Sequence, residues 1–497
     1  MPWRNNPSNH VTNRVAAAPT AFRECLHVLN VFKPVIDLLP EVGNPRHPPS
    51  LQKKLYWTLA GLLIFFILGQ LFPIGVNPLD IRVQQFQQLE ILLGSKTGSL
   101  ITAGIGPIVL ASIFLQLAVG AKIIDLDLSL AENKKLFQGF QKLLAIFLSF
   151  LEAAIYTYSG YIPINSAHPL FGSVAATLVI VAFQLSLGSI ILLYLDEVLQ
   201  KYGIGSGISL FIAAGVAQAL FLGAFSFVPV SGSEIPSGLV FQALYYLGQE
   251  NPAKALWALV PLMFTVIVFL VVVYAEGMRI ELPLSYGRAR GLGARYPLKF
   301  LYVSNIPVIL ASAVLLNVML VGMFLAHAGM PILGNYGQSA QPIDGIAYYL
   351  STLPSPVLIG GYETYLGLML NSTEILHIFV YGFAMVTLSV VFGWFWVEST
   401  GMSAKDVAEQ LGRVGLLIPG FRQDPRVTEK ILERYIPVIT ILGAGFVGLL
   451  AWFADITGAL GTGTGILLTV GILYRFYEDL AKQQVFETYP MLDKILK

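Results

Sequence analysis

The chain has 497 residues, of which 55% are hydrophobic and only 12% are charged, and its net charge is +1. Soluble domains carry about 25% charged residues, so this composition argues strongly against a water-soluble enzyme. The single cysteine, Cys25, excludes a disulfide framework and a cysteine-based metal cluster. The six histidines are scattered without the i, i+4 spacing of a helical metal site, and we therefore expect no metal and no other cofactor.

Residues 1–30 are polar, and apolar side chains recur at near-helical spacing from residue 22 to residue 39. This spacing predicts an amphipathic helix on the cytoplasmic surface of a membrane, and a disordered leader is the alternative. The first long apolar block begins only at Leu55, directly behind Lys53 and Lys54. That position favours a retained first span over the apolar core of a cleaved signal peptide.

Ten apolar blocks, separated by polar breaks, follow along the chain. A helix needs about 20 apolar residues to cross a hydrocarbon core about 30 Å thick, and the blocks approach or exceed that length. The sequence therefore predicts an all-α polytopic membrane protein with ten transmembrane helices. The predicted spans cover residues 55–73, 104–121, 137–158, 171–195, 206–226, 256–277, 299–325, 374–397, 435–454 and 461–478.

The basic residues indicate how these spans are oriented. When each Lys and Arg is assigned to the adjoining connection, 27 of the 30 fall on one side of the membrane. The exceptions are Arg82, Lys96 and Lys254, and the connection at residues 327–374 has no basic residue at all. Because basic loops stay in the cytoplasm, both termini are predicted to be cytoplasmic, in agreement with the even number of spans.

Two short motifs recur along the chain. Residues 106–112 in the second span resemble residues 306–312 in the seventh, and residues 203–208 before the fifth span resemble residues 461–466 before the tenth. The matches fall at corresponding positions of two five-span halves, and because five is odd, the second half is inverted. Inverted repeats are typical of transport proteins, in which the pathway lies between the halves.

This repeat divides the chain into segments. We expect two inverted, pseudo-symmetric five-helix halves joined outside the membrane. The predicted segments are a cytoplasmic N-terminal segment (1–54), a first half (55–226), an external connection (227–255), a second half (256–478) with cytoplasmic loops at 278–298 and 401–434, and a cytoplasmic tail (479–497).

Residues 74–103, between the first and second spans, are too polar to form a further span. The apolar run 89–93 is followed by four glycines up to residue 106, which suggests a short half-helix that dips back into the membrane. Irregular backbone survives at that depth only where protein or a water-filled cavity shelters it. An ordinary external loop before a proline-kinked helix fits the composition equally well.

Glu152 is the only carboxylate deep within the predicted spans, whereas Asp196, Asp455 and others lie near span ends. A carrier coupled to protons or sodium needs buried ionisable groups along its route, and this chain has few. Asn317 lies at a similar depth to Glu152, and a structural hydrogen bond between them is favoured over a coupling-ion site. The sequence has neither a Walker loop nor a Gly-x-Ser-x-Gly element, so we expect no enzymatic activity.

The two longest cytoplasmic loops, at residues 278–298 and 401–434, are rich in basic residues. Two basic projections on one face suit phosphate-rich RNA or an acidic protein, with strongly salt-dependent binding. The alternative is that their charge reflects only the cytoplasmic bias of basic loops.

Six longer motifs complete the pattern, and they are Ile101–Val109, Leu136–Gly139, Tyr194–Glu197, Lys201–Gly207, Tyr302–Pro307 and Asp344–Thr352. Together they resemble the SecY family in its archaeal form, the channel subunits of the general protein translocase. The combination is highly specific, and the resemblance runs from about residue 51 to the C-terminus.

The resemblance implies an hourglass pore between the two halves, which are hinged at their external connection. It favours the half-helix interpretation of the segment before the second span, as a plug at residues 88–97. The plug residues would be Gln88, Leu89, Ile91, Leu92, Leu93 and Thr97. The residues implied for an aliphatic pore ring are Ile105, Val109, Ile208, Ile212, Ile309 and Leu468.

The resemblance also implies a lateral gate between the second and seventh spans and a ribosome-docking surface on the two basic loops. Gate residues would be Pro107, Leu110, Glu152, Pro307 and Asn317. Leu110 stands where the family often has a hydroxyl residue, so the polar cluster at the gate is expected to be smaller. Docking residues would be Arg288, Arg290, Arg295, Arg413, Arg422 and Arg426.

The function implied by the resemblance is a passive protein-conducting channel in the cytoplasmic membrane, which releases transmembrane segments sideways into lipid. The implied partners are a translocon gamma subunit of the SecE type, a small beta subunit, the ribosome, signal sequences, nascent polypeptides and membrane lipids. A secondary transporter with inverted five-helix repeats is the alternative.

Overall fold

A computed structural model gives the conformation of most of the chain. It describes residues 32–45, 47, 49–76, 95–120, 123–124, 131–162, 164–165, 172–229, 235–286, 293–337, 341–354, 356, 361–414, 416–417 and 425–488.

Each predicted span coincides with a helix in the described part of the chain, and these helices are called the first to tenth spans. Eight of these described helices are long and apolar enough to cross a membrane; the second has only 15 residues, and the tenth is not among the eight. In chain order the spans are Leu51–Leu68, Gly106–Gly120, Ala131–Tyr158, Val174–Tyr202, Gly207–Phe225, Pro252–Gly277, Ile306–His327, Ser372–Ser399, Pro425–Ile456 and Gly463–Thr488.

Several helix boundaries differ from the predicted ones, because a helix continues after its residues cease to be apolar. The ninth span begins at Pro425, well before the predicted residue 435, and the tenth continues past residue 478 to Thr488. The seventh span instead begins later than predicted. Lys299 belongs to a strand, and Ser304 has φ +56°, which interrupts a helix and delays its start to Ile306.

The two basic loops contain regular structure that apolar blocks did not predict. Strand β1 (Arg279–Tyr286) pairs antiparallel with strand β2 (Gly293–Lys299), and β1 also pairs with the short strand β3 (Leu416–Leu417). The register places Ser285 opposite both Gly293 and Leu417. The sheet order β2-β1-β3 therefore joins the loop after the sixth span to the loop after the eighth.

Short helices complete the described structure, namely Lys33–Ile36, Leu239–Gly248, Gly345–Leu350, Tyr362–Met369 and Ala404–Val414. The first of these is the described part of the amphipathic helix predicted within residues 22–39. Its Ile36 side chain contacts Gly139 of the third span, and the rings of Phe32 and Phe140 have centroids 5.4 Å apart. The N-terminal segment therefore packs on the third span.

The backbone repeats where the sequence motifs repeat. Gly104 and Ser304, each three residues before the motif proline, have φ angles of +54° and +56°. Before the fifth and tenth spans, Gly205 and Gly461 have φ angles of +71° and +79°, and each precedes the first helical residue by two positions. The backbone conformation therefore pairs Gly205 with Gly461. The sequence motifs had paired residue 203 with residue 461, so the two alignments differ by two residues.

Residues of both halves meet in an apolar cluster. Its buried members come from the first, second, third, fourth, fifth and tenth spans, and Ile309 of the seventh span packs against them. A second cluster also joins the halves, because Leu316 and Leu320 of the seventh span pack there with residues of the third and fourth spans, whereas others lie within the second half. The candidate site lies in the first of these clusters, to which the second, fifth, seventh and tenth spans all contribute.

Candidate functional site

All six residues of the predicted ring lie in this one apolar cluster. Three are fully buried, with exposed fractions of 1% for Ile105, 4% for Ile212 and 2% for Leu468. The other three are partly buried and pack against them, namely Val109, Ile208 and Ile309. Four spans thus supply aliphatic side chains to one point, where no ionisable residue belongs to the cluster among the described residues.

Helical spacing explains why pairs of these side chains point the same way. Ile105 and Val109 are four residues apart at the start of the second span, and Ile208 and Ile212 have the same spacing in the fifth. Residues at i and i+4 share one face of a helix. The positive φ of Gly104 ends the preceding turn, so that the second span begins within the protein interior, where Ile105 is buried.

A small cavity connects the ring to the predicted gate. Its volume is about 30 Å³, which holds only a water molecule or two. Among the side chains around it are Ile105, Val109, Ile212 and Ile309 of the ring together with Leu110, Glu152 and Asn317 of the gate. The structure therefore brings ring and gate residues to the same small space.

Glu152 and Asn317 both line the cavity, but their hydrogen bonds lie within their own helices. Asn317 Nδ2 donates to the carbonyl oxygen of Ala313 at 2.7 Å, and Glu152 shares a hydrogen bond with the hydroxyl of Tyr156. The hydrogen bond predicted between Glu152 and Asn317 is not formed in the described structure. Each side chain forms its hydrogen bond with a residue one turn away in its own helix and not with the facing helix.

The two prolines of the predicted gate occupy the first turns of the second and seventh spans. Pro107 is the second residue of its helix, and Pro307 is buried at the corresponding place in the other. Proline has no N–H to lose in a first turn, so it is compatible with both helix starts. Leu110 follows one turn after Pro107 and packs against the ring cluster.

Two buried carboxylates cap the N-termini of two spans that carry ring residues, the fifth and the tenth. Asp196 Oδ1 accepts from the backbone N–H of Ile208 at 2.9 Å, and Asp455 Oδ1 accepts from that of Gly463 at 2.8 Å. The second oxygen of Asp455 accepts from the Tyr381 hydroxyl at 2.8 Å. A carboxylate at a helix N-terminus satisfies unpaired N–H groups and opposes the helix dipole.

Sequence analysis had placed these aspartates only near span ends and had assigned them no role. Each acts across a turn on the next helix, eight or twelve residues ahead. Capping rules look for a side chain within about three residues of a helix start, so they do not find such a contact. The recurrence of a carboxylate before both glycine motifs was the one available signal.

The predicted plug is described only at its end. Gln88, Leu89, Ile91, Leu92 and Leu93 lie outside the described residues. Thr97 is buried, and its hydroxyl lies 3.4 Å from the hydroxyl of Tyr161, which follows the C-terminal end of the third span.

Among the described docking residues, Arg295 lies in strand β2, Arg413 lies at the end of the helix that precedes β3, and Arg426 lies in the first turn of the ninth span. Arg295 donates to Glu281 of β1 at 2.7 Å, and this bond lowers the pKa of the Glu281 carboxyl. Arg413 and Arg426 are exposed, and Nη2 of Arg413 lies 3.9 Å from Oε2 of Glu409. Arg288, Arg290 and Arg422 lie outside the described residues. Because β3 pairs with β1, the two basic loops are joined in one structure.

Comparisons with known proteins agree with this arrangement. The chain is 44% identical to the protein translocase subunit SecY of Methanococcus vannielii, over 94% of this chain and 99% of that protein. Its structure resembles one described as the structure of a protein conducting channel, with a TM-score of 0.77 and 42% identity, covering 92% of this chain and 98% of the other.

A second similar structure is described as Sec61 in the canine ribosome-channel complex from the endoplasmic reticulum. The TM-score is 0.75 and the identity is 42%, over 92% of this chain and 98% of that one. The SecY family model itself matches residues 99–477, which include every described ring and gate residue. By sequence and by fold, the chain belongs to the SecY family.

Proposed function

We propose that the chain is the pore-forming subunit of a Sec translocon, which passes unfolded secretory polypeptides across the cytoplasmic membrane. The observation that carries the proposal is the convergence of six aliphatic side chains from both halves on one closed constriction. An aliphatic ring offers ions and water no hydrogen-bonding partner, so a narrow constriction loses its water. A sliding polypeptide meets no polar site that would hold it, and the ring side chains can change rotamer as it passes.

We propose that the second and seventh spans form the lateral gate. Both contribute to the cavity beside the ring, so a separation of the two spans would open the ring towards lipid. Leu110 of the second span and Ile309 of the seventh both line this cavity and pack against the ring cluster, so the seam beside the ring is largely apolar. Such a seam can open for an apolar signal sequence, since the signal replaces one apolar surface with another.

We also propose a position for the plug, a division of the chain into segments and an orientation in the membrane. We assign residues 88–97 to a plug on the external side, and both termini to the cytoplasm, on the basic-residue distribution. Thr97, at the described end of this segment, is buried beside Tyr161. We keep the boundary between the halves at the external connection 227–255, which contains the amphipathic helix Leu239–Gly248.

We propose that the three-stranded sheet is the docking surface for the ribosome. The exposed arginines Arg295 and Arg413 lie in the two loops that the sheet joins, and phosphate-rich RNA attracts such a surface. On family membership we further propose a SecE-type gamma subunit and a small beta subunit as partners. Signal sequences, nascent polypeptides and membrane lipids would meet the pore and its gate.

A secondary transporter would need a substrate cavity with coupling residues. The cavity at the midplane is mostly apolar and close to the size of a water molecule, and the hydrogen bond of its one carboxylate, Glu152, is with Tyr156. The channel is therefore the function that the geometry supports best.

The test places a photoactivatable crosslinker at single positions of the full-length chain, purified with its bound subunits and mixed with ribosomes that carry a stalled secretory chain. Crosslinkers at Ile212 and Ile309 should react with the nascent chain. A crosslinker at Phe221, which is 64% exposed on the lipid side of the fifth span, is the matched control and should not react. Equal reaction at Phe221 and Ile212 would contradict the proposed path.

A further inference from the structure

The ring is built unequally by the two halves. The backbone correspondence pairs the second span with the seventh and the fifth with the tenth, from Gly104 with Ser304 and from Gly207 with Gly463. The four ring residues of the first half, Ile105, Val109, Ile208 and Ile212, then correspond in order to Asn305, Ile309, Thr464 and Leu468. Two of the four aliphatic positions are therefore polar in the second half.

These two polar side chains are buried rather than turned to solvent. The exposed fraction is 4% for Asn305 and 5% for Thr464. A buried amide or hydroxyl group is costly unless it is hydrogen-bonded. The Nδ2 of Asn305 and the hydroxyl of Thr464 have partners, whereas Oδ1 of Asn305 has none within the described residues.

Both side chains join the seventh span to the tenth. Asn305 Nδ2, at the start of the seventh span, donates to the carbonyl oxygen of Leu467 in the tenth at 2.5 Å. Thr464 Oγ1 of the tenth span lies 3.4 Å from Ser312 Oγ of the seventh. The two contacts are about two helical turns apart along the seventh span. They fix both the distance between the two helices and their relative rotation.

A glycine in the tenth span makes room for the first contact. A Cβ placed on Gly471 would collide with Nδ2 of Asn305 and would lie 3.1 Å from Oε1 of Glu276. Gly471 lies one turn after Leu467, so the amide of Asn305 packs against the tenth span where that helix has no side chain. The close approach depends on the missing side chain.

We propose that Asn305 and Thr464 are positioning residues that tie the seventh span to the tenth, so that Ile309 and Leu468 approach and leave the ring as one unit. The proposal rests on the proposed function, because it takes the seventh span as the moving side of the gate. The first half has aliphatic side chains at the corresponding positions and places all four in the ring. The second half uses two of its four positions for the tie.

The tie couples two events that the channel must perform together. When the seventh span moves away from the second, Leu468 moves with it, so the ring widens as the gate opens. Without the tie, the gate can part while Leu468 stays in place. Interhelical hydrogen bonds in membranes average about 0.6 kcal/mol, so two of them shift the balance between joined and separated spans about sevenfold.

The experiment measures distances between spin labels in the full-length chain, in a background in which Cys25 is replaced by Ser, in lipid vesicles. One label pair, at Val321 and Leu473, reports on the seventh and tenth spans, and a second pair, at Phe114 and Val321, reports on the second and seventh. These three side chains are about half exposed, which suits labelling. Each pair is measured at rest and with a ribosome-bound nascent secretory chain.

The test variant combines Asn305→Leu with Thr464→Val, which keep the side-chain size and remove the polar groups. In the resting state, the population with separated seventh and tenth spans should rise about sevenfold in this variant. Gly471→Ala should produce the same direction of change by displacing the amide of Asn305. Asn305→Leu with Thr464→Ser, which keeps the hydroxyl contact and loses only the amide contact, should reduce the rise to about threefold.

The matched control is Thr469→Val in the same span. Thr469 is buried beside Leu468, and its hydroxyl has no hydrogen-bond partner within the described residues, so its loss removes no tie. If Asn305→Leu with Thr464→Val gives the same resting distance distribution as Thr469→Val, the proposed link between the seventh and tenth spans is wrong.

The second label pair separates this inference from the proposed gate. If the distance between the second and seventh spans does not lengthen with a nascent chain in the parent protein, the gate proposal is wrong. The resting comparison of the seventh and tenth spans stands independently of that result.

Discussion

The two halves hold their ring-bearing helices by the same device in different surroundings. In the first half, Asp196 caps the fifth span and shares its second oxygen with Gln200, which is exposed. In the second half, Asp455 caps the tenth span and binds the buried hydroxyl of Tyr381 from another helix. The first cap is local to one helix connection, whereas the second also fixes the eighth span. A repeated backbone can thus carry unequal mechanical roles.

The largest expected effect comes from removing the second cap. Asp455→Ala leaves the N–H of Gly463 and the hydroxyl of Tyr381 buried without an acceptor, at about 1–3 kcal/mol each, so the free energy of unfolding should fall by about 2–5 kcal/mol. Asp196→Ala should lower it by only about 1–2 kcal/mol, because water can reach Gln200. Thermal unfolding in detergent measures both, with Asp455→Asn as the isosteric control. Equal losses in the two alanine variants would show that the caps are equivalent.

The ring allows a second comparison at the corresponding positions Ile212 and Leu468. An asparagine in either place puts an amide among aliphatic side chains, which disfavours the closed ring by about 1–3 kcal/mol and should raise the ion leak roughly tenfold. Ile212→Asn should leak more than Leu468→Asn, because Ile212 lines the cavity beside the ring. Conductance of the reconstituted channel without a substrate is the measurement. A larger leak through Leu468→Asn would place the constriction nearer the tenth span.

The two halves also differ in how deeply the ion pairs at their helix ends are buried. Glu197 of the first half binds Lys142 at 2.8 Å and Lys201 at 3.0 Å and accepts from the N–H of Val42. In the second half Glu478 binds Lys299 at 2.8 Å nearer to solvent.

Glu197→Gln should therefore lower the unfolding free energy by about 1–2 kcal/mol, whereas Glu478→Gln should cost less than about 1 kcal/mol. Protease sensitivity of the N-terminal segment should increase only in the first variant, because residues 40–43 are held by Glu197 and its lysines. Cleavage that increases equally in both variants would mean that this segment is held elsewhere.

The smallest effect is expected at the gate. Asn317→Leu gives the seventh span the residue that the second span has at the corresponding position, Leu117. Since Asn317 donates to Ala313 of its own helix, the substitution breaks no bond across the seam, and the change should stay within about 1 kcal/mol. Leu should pack at the seam, so insertion should require slightly more hydrophobic signal sequences. Easier insertion of weakly hydrophobic signals would show that Asn317 helps to hold the gate closed.

Much of this architecture could be read from the sequence, because a bilayer imposes long apolar helices and an uneven distribution of basic residues. The mostly helical fold with its membrane-crossing helices followed from those constraints, and the family motifs named six aliphatic residues that lie in one apolar cluster. Polar contacts between segments that are distant along the chain could not be predicted from the sequence. Glu152 and Asn317 suggested a hydrogen bond because they lie at equal depth, but depth does not show which way a side chain turns. Asp455 and Tyr381 are 74 residues apart, and only the packing of the eighth and ninth spans makes them neighbours.

The three-stranded sheet has a further consequence for how force acts on the molecule. All of its strands come from the connections after the sixth and eighth spans, so the sheet is built entirely from the second half. A large particle bound there would contact the second half directly and the first half only through the contacts between the halves. Force exerted by the particle would therefore reach the seventh and tenth spans before it reaches the second and fifth.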